Sequence, residues 1–310
     1  MSSLALSIVA PVYNEQKCLP EFWRRLDAVI RQLDLNAEII LINDGSEDES
    51  LQILRELRRK DSRIKILNFS RNFGHQVAVK AGIDYAQGDA VIIMDTDLQD
   101  PPEVIPDFLA KCKEGYDVVY AVRTSREGES LFKKWTASFY YRMIKKITPI
   151  DMPLDAGDFR LITGQVTEAI RGIKERHPYI RGLISWVGFR QTGIPIHREA
   201  RYSGQTKYSL RKMFQLAWNG VTHFSFLPLQ ISTFMGFLTS AACLLWVLWT
   251  LYVSLILRIA VPGWTSLMIA VLFLGSIQLI TLGIIGSYLA RNYDESRSRP
   301  LYILKDKEGF

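Results

Sequence analysis

Residues Leu229 to Leu257 and Trp264 to Ala290 contain no Asp, Glu, Lys or Arg, and only a short link with Arg258 and Pro262 parts them. Each stretch exceeds the roughly 20 apolar residues that a helix needs to cross a hydrocarbon layer. A chain ending this way is expected to form an α/β domain over residues 1–212 and a juxtamembrane interface helix over 213–228. Two transmembrane helices (229–257 and 264–290) and a basic tail at 291–310 would follow. Arg198, Arg201, Lys207, Arg211 and Lys212 precede the first span, and Arg291, Arg297, Arg299, Lys305 and Lys307 follow the second. The excess of Lys and Arg beside the membrane marks the cytoplasmic side, so both termini are expected there, in a multi-pass protein of the cytoplasmic membrane. The first strand begins close to the N-terminus, so no cleavable leader is expected.

The formal net charge of +6 would suit a nucleic acid, but the basic residues gather beside the apolar spans. Anionic headgroups or a lipid phosphate are the better partners, and nucleic acid is not expected. Cys18, Cys112 and Cys243 lack metal-type or CxxC spacing and read as reduced thiols.

Ahead of the spans, apolar runs alternate with helical spacing. Leu6–Val12, Glu38–Asn43, Ile64–Phe69 and Ala90–Met94 read as strands, and Leu19–Leu33, Ser50–Arg59 and Gln76–Ala86 as helices. Nearly unbroken apolar strands alternating with helices predict a mostly parallel, Rossmann-like sheet covered on both faces. Ligands of such sheets bind outside the carboxyl ends of the strands. Tyr13-Asn14-Glu15, Asp44-Gly45-Ser46 and Asp95-Thr96-Asp97 all follow strand ends and should meet at one crevice. Neither GxGxxG after the first strand nor GxxxxGK[ST] occurs, which argues against an ordinary dinucleotide enzyme and a P-loop.

A DxD triplet alone carries little weight, but this one directly follows an apolar strand. The carboxylates of Asp95 and Asp97, with the amide oxygen of Gln99, are hard donors suited to Mg²⁺ or Mn²⁺ bridging a diphosphate. Turn and helix-cap roles explain Asp100 better than Asp97.

The pieces IVAPVYNE (Ile8–Glu15), INDGSED (Ile42–Asp48), RNFGHQVAVKAGI (Arg71–Ile83), MDTDLQDPPE (Met94–Glu103), DAGDFRL (Asp155–Leu161) and RYSGQTKY (Arg201–Tyr208) occur in order along the chain. With the C-terminal spans, they resemble the family-2, GT-A-fold polyprenyl-phosphate glycosyltransferases. These include the dolichol-phosphate mannose synthases and, nearer still, the bacterial bactoprenol glucosyltransferases of the GtrB type. The resemblance implies that Pro11, Tyr13, Asn14, Glu15, Asp44, Lys80 and Asp95 hold the donor nucleotide. It implies further that Asp95, Asp97 and Gln99 take the metal and that Asp158 is catalytic. A turn with a helix cap is the plain alternative for Asp44-Gly45-Ser46, and a solvated surface position the alternative for Lys80. Asp155 competes with Asp158.

Arg123, Lys134, Ser138, Arg201 and Lys207 match or approximate the family's positions for the acceptor phosphate. Relatives often carry arginine where Lys134 stands, and lysine lacks the bidentate fork. Over Leu131 to Ile147, the residues Phe132, Trp135, Phe139, Met143 and Ile147 form an apolar stripe, with Lys133, Lys134, Arg142, Lys145 and Lys146 mostly elsewhere. That pattern fits an amphipathic helix in the membrane interface, or else an ordinary surface helix packed on the sheet. His75, His177, His197 and His223 are dispersed and read as structural or surface residues, the first also as a nucleotide-loop contact.

The expected activity is inverting transfer of a hexose, preferably glucose from UDP-glucose, to undecaprenyl or another polyprenyl phosphate. GDP-mannose with dolichyl phosphate, or an amino-arabinose donor, is the alternative within the class. A processive synthase would want more spans and a QxxRW motif, and a non-catalytic membrane anchor would not need acidic residues at three strand ends. Small residues in the spans (Gly236, Ser240, Gly275, Gly283, Gly286) are compatible with a homo-oligomer.

Overall fold

Leu6–Val12 (β1) and Ala37–Asn43 (β2) are buried at every position, as strands covered on both faces must be. The computed structural model describes residues 5–123, 156–176, 178–196, 227–256 and 263–310. They fall into two units, a sheet unit (5–196 with 299–310) and a helical unit (227–298).

The sheet unit adds strands Ile64–Phe69 (β3), Ala90–Ile93 (β4), Val118–Arg123 (β5), Ala156–Thr163 (β6), Gln191–Ile196 (β7) and Leu304–Glu308 (β8). They form one sheet in the order β7-β5-β6-β4-β1-β2-β3-β8. Pairs β1–β2, β1–β4, β2–β3 and β5–β7 are parallel. β6 runs antiparallel to both β4 and β5, and β8 antiparallel to β3. The mostly parallel sheet expected from the sequence is therefore mixed at two places.

Successive residues of a strand face opposite sides, so the sheet builds two cores. On one face Ile8, Ala10 and Val12 pack with Phe22 and Leu26 of helix α1 (Leu19–Leu33), and with Phe108 of α4 (Ile105–Lys113). On the other, Val9, Ile40 and Ile42 meet Ala78 and Val79 of α3 (His75–Tyr85). Helices α2 (Ser50–Lys60), α5 (Gly164–Gly172) and α6 (Ile180–Trp186) complete the layers. At Gly82 a side chain would overlap Val9 Cγ1 and crowd Ile42 Cδ1, so a glycine lets α3 lie directly on β1 and β2.

Residues 291–310, expected as a basic tail, do something else. The helix before them runs on to Ser296, and β8 joins the sheet edge. Its sequence, LKDKE, has little apolar content, and polar cross-links place it instead. Arg55 pairs with Asp306 and Glu308, and the Asn68 amide donates to Asp306 Oδ2 at 2.7 Å.

The helical unit holds α7 (Leu227–Leu251), a π-helical turn at Tyr252–Ile256, and α8 (Trp264–Ser296). Among the described residues one stretch is long and apolar enough to cross a membrane, the 24 residues Phe273–Ser296. α7 offers only the shorter apolar segment Ser232–Trp246. Of the two expected spans, length and composition thus single out one. Leu279, Ile280, Leu282 and Leu289 on it are exposed, as side chains facing lipid would be. The expected helix 131–147 and residues 213–226 of the expected helix 213–228 lie outside the described residues, and its last two residues begin α7.

Candidate active site

β1, β2 and β4 are parallel and end at Val12, Asn43 and Ile93, so the polar segments after them leave from one edge of the sheet. β6 reaches the same edge from the opposite direction. Its register pairs Ile93 with Arg160, so two residues further out Asp95 and Asp158 come opposite each other. Residues 63 apart in sequence are brought together by one antiparallel pairing.

His75, the first residue of α3, joins them. Its Nε2 lies 3.2 Å from Asp158 Oδ2 and 3.7 Å from Asp95 Oδ1. Arg181 of α6 closes the group: its Nε donates to Asp158 Oδ1 at 2.5 Å and its Nη2 to Oδ2 at 2.6 Å. This bidentate fork is the strongest geometry an arginine offers a carboxylate. The Gln76 side chain accepts from the backbone N–H of Ile180 at 3.0 Å, tying the start of α3 to the start of α6. His75 and Arg181 are therefore held in mutual register by their neighbours.

The charges respond to one another. Burial works against the charge on Asp158, but Arg181 and then His75 outweigh it and hold the carboxyl well below the usual carboxylate range. Burial also opposes the imidazolium of His75, yet the hydrogen bond to Asp158 and the charge of Asp95 push it up to about 9. Asp95 moves the other way: burial raises it, His75 partly offsets this, and the charges of Asp158 and Asp97 raise it further. Arg160, buried two residues after Asp158, donates to the Gly157 carbonyl at 2.7 Å, and its burial lowers it to about 10.

Asp44 reaches across to the loop before α3. Its Oδ1 accepts from Phe73 N–H at 2.7 Å and its Oδ2 from Gly74 N–H at 3.0 Å. Gly74 sits at φ +103° and Gly45 at φ +66°. A side chain at Gly45 would come within 2.5 Å of the Arg71 carbonyl carbon and the Asn72 nitrogen, so the two loops touch backbone to backbone. Burial raises Asp44, while the two amides counteract it.

The loop after β1 is laced to the loop after β2. Asn14, at φ +55°, accepts from Glu47 N–H at 2.9 Å, its own N–H donates to the Ser46 hydroxyl at 3.1 Å, and Glu15 N–H donates to Ser50 Oγ at 2.9 Å. The Pro11 carbonyl accepts from Thr96 Oγ1 at 3.2 Å, linking this edge to the DxD. Tyr13 stays exposed. Asp97 is buried, its Oδ1 accepting from Gln99 N–H at 3.1 Å in a tight local turn. The residue between them, Leu98, is held at φ +63°, a conformation a leucine rarely adopts, and its buried side chain anchors that turn.

Lys80 departs from the solvated surface position that was its plain alternative: it is buried within α3 and ion-paired to Asp84 one turn on. A buried ammonium needs such a partner, and the i,i+4 spacing supplies it. Arg123 ends β5, with Ile196 of β7 opposite. Lys134, Ser138, Asp155, Arg201 and Lys207 lie outside the described residues.

His75, Asp95 and Asp158 each present one ligand atom, all within 4.8 Å of one another. Both oxygens of Asp158 are already committed to Arg181 and His75, which leaves the Asp95 carboxylate as the more available donor of this group. Of the expected carboxylate ligands Asp95 and Asp97, this group contains Asp95, a hard oxygen donor of the kind Mg²⁺ and Mn²⁺ take. The sequence reading set His75 among structural residues or nucleotide-loop contacts and passed over Arg181. The only local signal for Arg181 was a charge placed between Ile180 and the buried Leu183 and Ile184.

The family model for glycosyl transferase family 2 matches residues 7–171. The glycosyltransferase YkcC of Bacillus subtilis (strain 168) is 48% identical over 98% of this chain and 94% of its own. The chain belongs to glycosyltransferase family 2. This family-2 glycosyltransferase is also similar to the prophage bactoprenol glucosyl transferase homolog of Escherichia coli (strain K12), at 38% identity over 97% of this chain and 99% of that one. The bactoprenol glucosyl transferase of Shigella phage SfV is 37% identical over 98% and 99%. The solved glucosyl-3-phosphoglycerate synthase of Mycobacterium tuberculosis is 15% identical with a TM-score of 0.49, covering 70% of this chain and 77% of that one, too distant to bear on the chemistry here. The family-2 enzyme's mixed sheet, flanked by helices and carrying its acids at one edge, is GT-A-like.

Proposed function

We propose that this enzyme transfers a hexose, preferably glucose from UDP-glucose, to the phosphate of undecaprenyl or another polyprenyl phosphate, with inversion at the anomeric carbon. The single observation that carries the reading is the meeting of Asp95 and Asp158 under the grip of His75 and Arg181 at the ligand-binding edge of the sheet. End-to-end similarity to bactoprenol glucosyl transferases supports the acceptor, and the exposed apolar helix at Phe273–Ser296 supports a membrane location. The expected orientation puts the catalytic domain and both termini on the cytoplasmic side.

In the transfer, an oxygen of the acceptor phosphate attacks the anomeric carbon while the bond from that carbon to the nucleoside diphosphate breaks. A phosphate monoester has a second pKa of about 6, so near neutral pH it is mostly dianionic and already nucleophilic. No strong base is required, and Asp158, held far below the usual carboxylate range, would be a poor one. Its part is to orient Arg181 and His75 and to set the sugar or acceptor in line. Asp95, Asp97 and Gln99 would hold Mg²⁺ or Mn²⁺, which when bound neutralises charge on the departing diphosphate. Pro11, Tyr13, Asn14 and Glu15 would receive the nucleotide, and Asp44 would shape that pocket through the Phe73 and Gly74 amides. Arg123, Lys134, Ser138, Arg201 and Lys207 would hold the acceptor phosphate.

The test is a transfer assay with labelled UDP-glucose, undecaprenyl phosphate and membranes carrying the enzyme, with GDP-mannose run in parallel. Label entering the lipid phase only with UDP-glucose and a divalent cation supports the reading. Label that stays in the aqueous phase under every cation condition overturns it, and transfer from GDP-mannose alone replaces the donor.

A further inference from the structure

After α8 the chain returns to the sheet unit, and its last segment touches both sides of the residue that contacts Asp158. Ahead of His75, the Tyr302 ring stacks on Phe69, centroids 5.2 Å apart and planes 12° apart. Phe69 in turn meets Phe73 edge-on at 5.6 Å. The Ile303 carbonyl accepts from Ser70 N–H at 2.9 Å, fixing where the loop of residues 70–74 leaves β3. Behind His75, the Tyr302 hydroxyl points to Asp84 Oδ2 at 3.4 Å, and Asp84 is the partner of buried Lys80 on α3. Phe310 packs on Tyr85, the last residue of that helix, at 5.1 Å.

The loop gripped this way gives Asp44 its two amide donors, from Phe73 and Gly74. The next residue is His75, 3.2 Å from Asp158. Gly74 has no side chain to stiffen the joint and stands at φ +103°, so packing from outside adds to the hold that Asp44 has on the loop. Aromatic stacking suits that task because rings bury large area in a defined geometry.

The geometry points to Tyr302 as a positioning residue for transfer: through Phe69 and Phe73 ahead of His75, and Asp84 behind it, it holds the loop and helix that set His75 against Asp158. Tyr302 is then part of the apparatus that presents the active site. The inference rests on the Asp158 cluster being the active site, whichever sugar is moved.

The test uses the full-length enzyme in membranes, with Tyr302→Leu, Tyr302→Phe and Arg55→Ala. Arg55 anchors β8 through Asp306 and Glu308 but lies outside the aromatic stack. Tyr302→Leu is expected to lower kcat about tenfold with donor KM within about twofold, since a small misplacement near a reacting group is costly. Hydrogen exchange over residues 70–75 should quicken in that variant. Tyr302→Phe, which keeps the stack, should restore most of kcat, and Arg55→Ala should lower Tm while leaving kcat and the exchange of 70–75 alone.

The inference is overturned if Tyr302→Leu keeps wild-type kcat and exchange, or if Arg55→Ala loses as much kcat, which would make the effect one of general stability. Should Tyr302→Leu fail to accumulate, Phe69→Leu breaks the same stack and is read the same way. If the wild type is idle with UDP-glucose, the donor assignment has failed instead, and the exchange of residues 70–75 still decides the role of Tyr302.

Discussion

Arg181 holds Asp158 by two parallel hydrogen bonds, Nε to Oδ1 at 2.5 Å and Nη2 to Oδ2 at 2.6 Å, across 23 residues of sequence. The carboxylate is buried and the guanidinium half-buried, so the pair is screened on one side only. Arg181→Lys keeps a cation but loses the fork. Transfer should fall about a hundredfold, as for other small misplacements at a reacting centre. Arg181→Ala should in addition cost on the order of 2 kcal/mol of stability, because Asp158 is left buried without its strongest partner. Thermal unfolding and steady-state kinetics on the two variants separate these effects, and full activity in Arg181→Lys would contradict the role given to the fork.

Asp97→Asn retains an oxygen that can accept from Gln99 N–H, so the turn at residues 97–99 should survive and Tm should barely change. The charge offered to a cation is lost. Transfer that depends on Mg²⁺ or Mn²⁺ should vanish, and wild-type enzyme treated with EDTA should show the same loss, recovered on adding the cation back. Activity persisting in both would remove the metal from the reaction.

Gly45→Ala tests the contact between the two loops. The new methyl would meet the Arg71–Asn72 backbone, and φ +66° strains any side chain there by about 1 kcal/mol or more. Nucleotide binding, measured by UDP titration with Mn²⁺, should weaken more than global stability falls. Unchanged affinity would mean the Asp44 loop does not shape the donor pocket.

Gly82→Ala acts from beneath the site. A methyl there overlaps Val9, and overpacking of this kind costs roughly 1–3 kcal/mol. Lifting α3 also moves His75 at its start, so Tm and kcat should drop together. A Tm matching wild type would show that the helix absorbs the methyl without displacement.

Leu282→Arg puts a charge on the exposed apolar face of α8. At the centre of a bilayer that costs roughly 2.5–3.5 kcal/mol. The variant should be released from membranes by carbonate while the wild type stays bound. Equal retention would argue against insertion of this helix.

The strands Leu6–Val12, Ala37–Asn43 and Ile64–Phe69, and helix Leu19–Leu33, were legible because their signals are local. An unbroken apolar run and a 3.6-residue stripe record which faces must be buried. The placing of Asp44 and Asp95 at one sheet edge followed from the same reading, since parallel strands end together. The burial of Lys80 was not legible, because its i,i+4 pairing with Asp84 looks the same in sequence on a buried helix face as on a solvated one.

By itself the sequence determined the alternating strands and helices, the acids that follow their ends, and the uncharged C-terminal stretches, because each depends on neighbours within a turn or a strand. Only the tertiary structure decided that β6 runs against β4, which sets Asp158 opposite Asp95, and that Arg181, His75 and Tyr302 converge on the same place. Strand direction and register are chosen by the total burial and pairing of distant segments, and no local pattern along the chain encodes that choice.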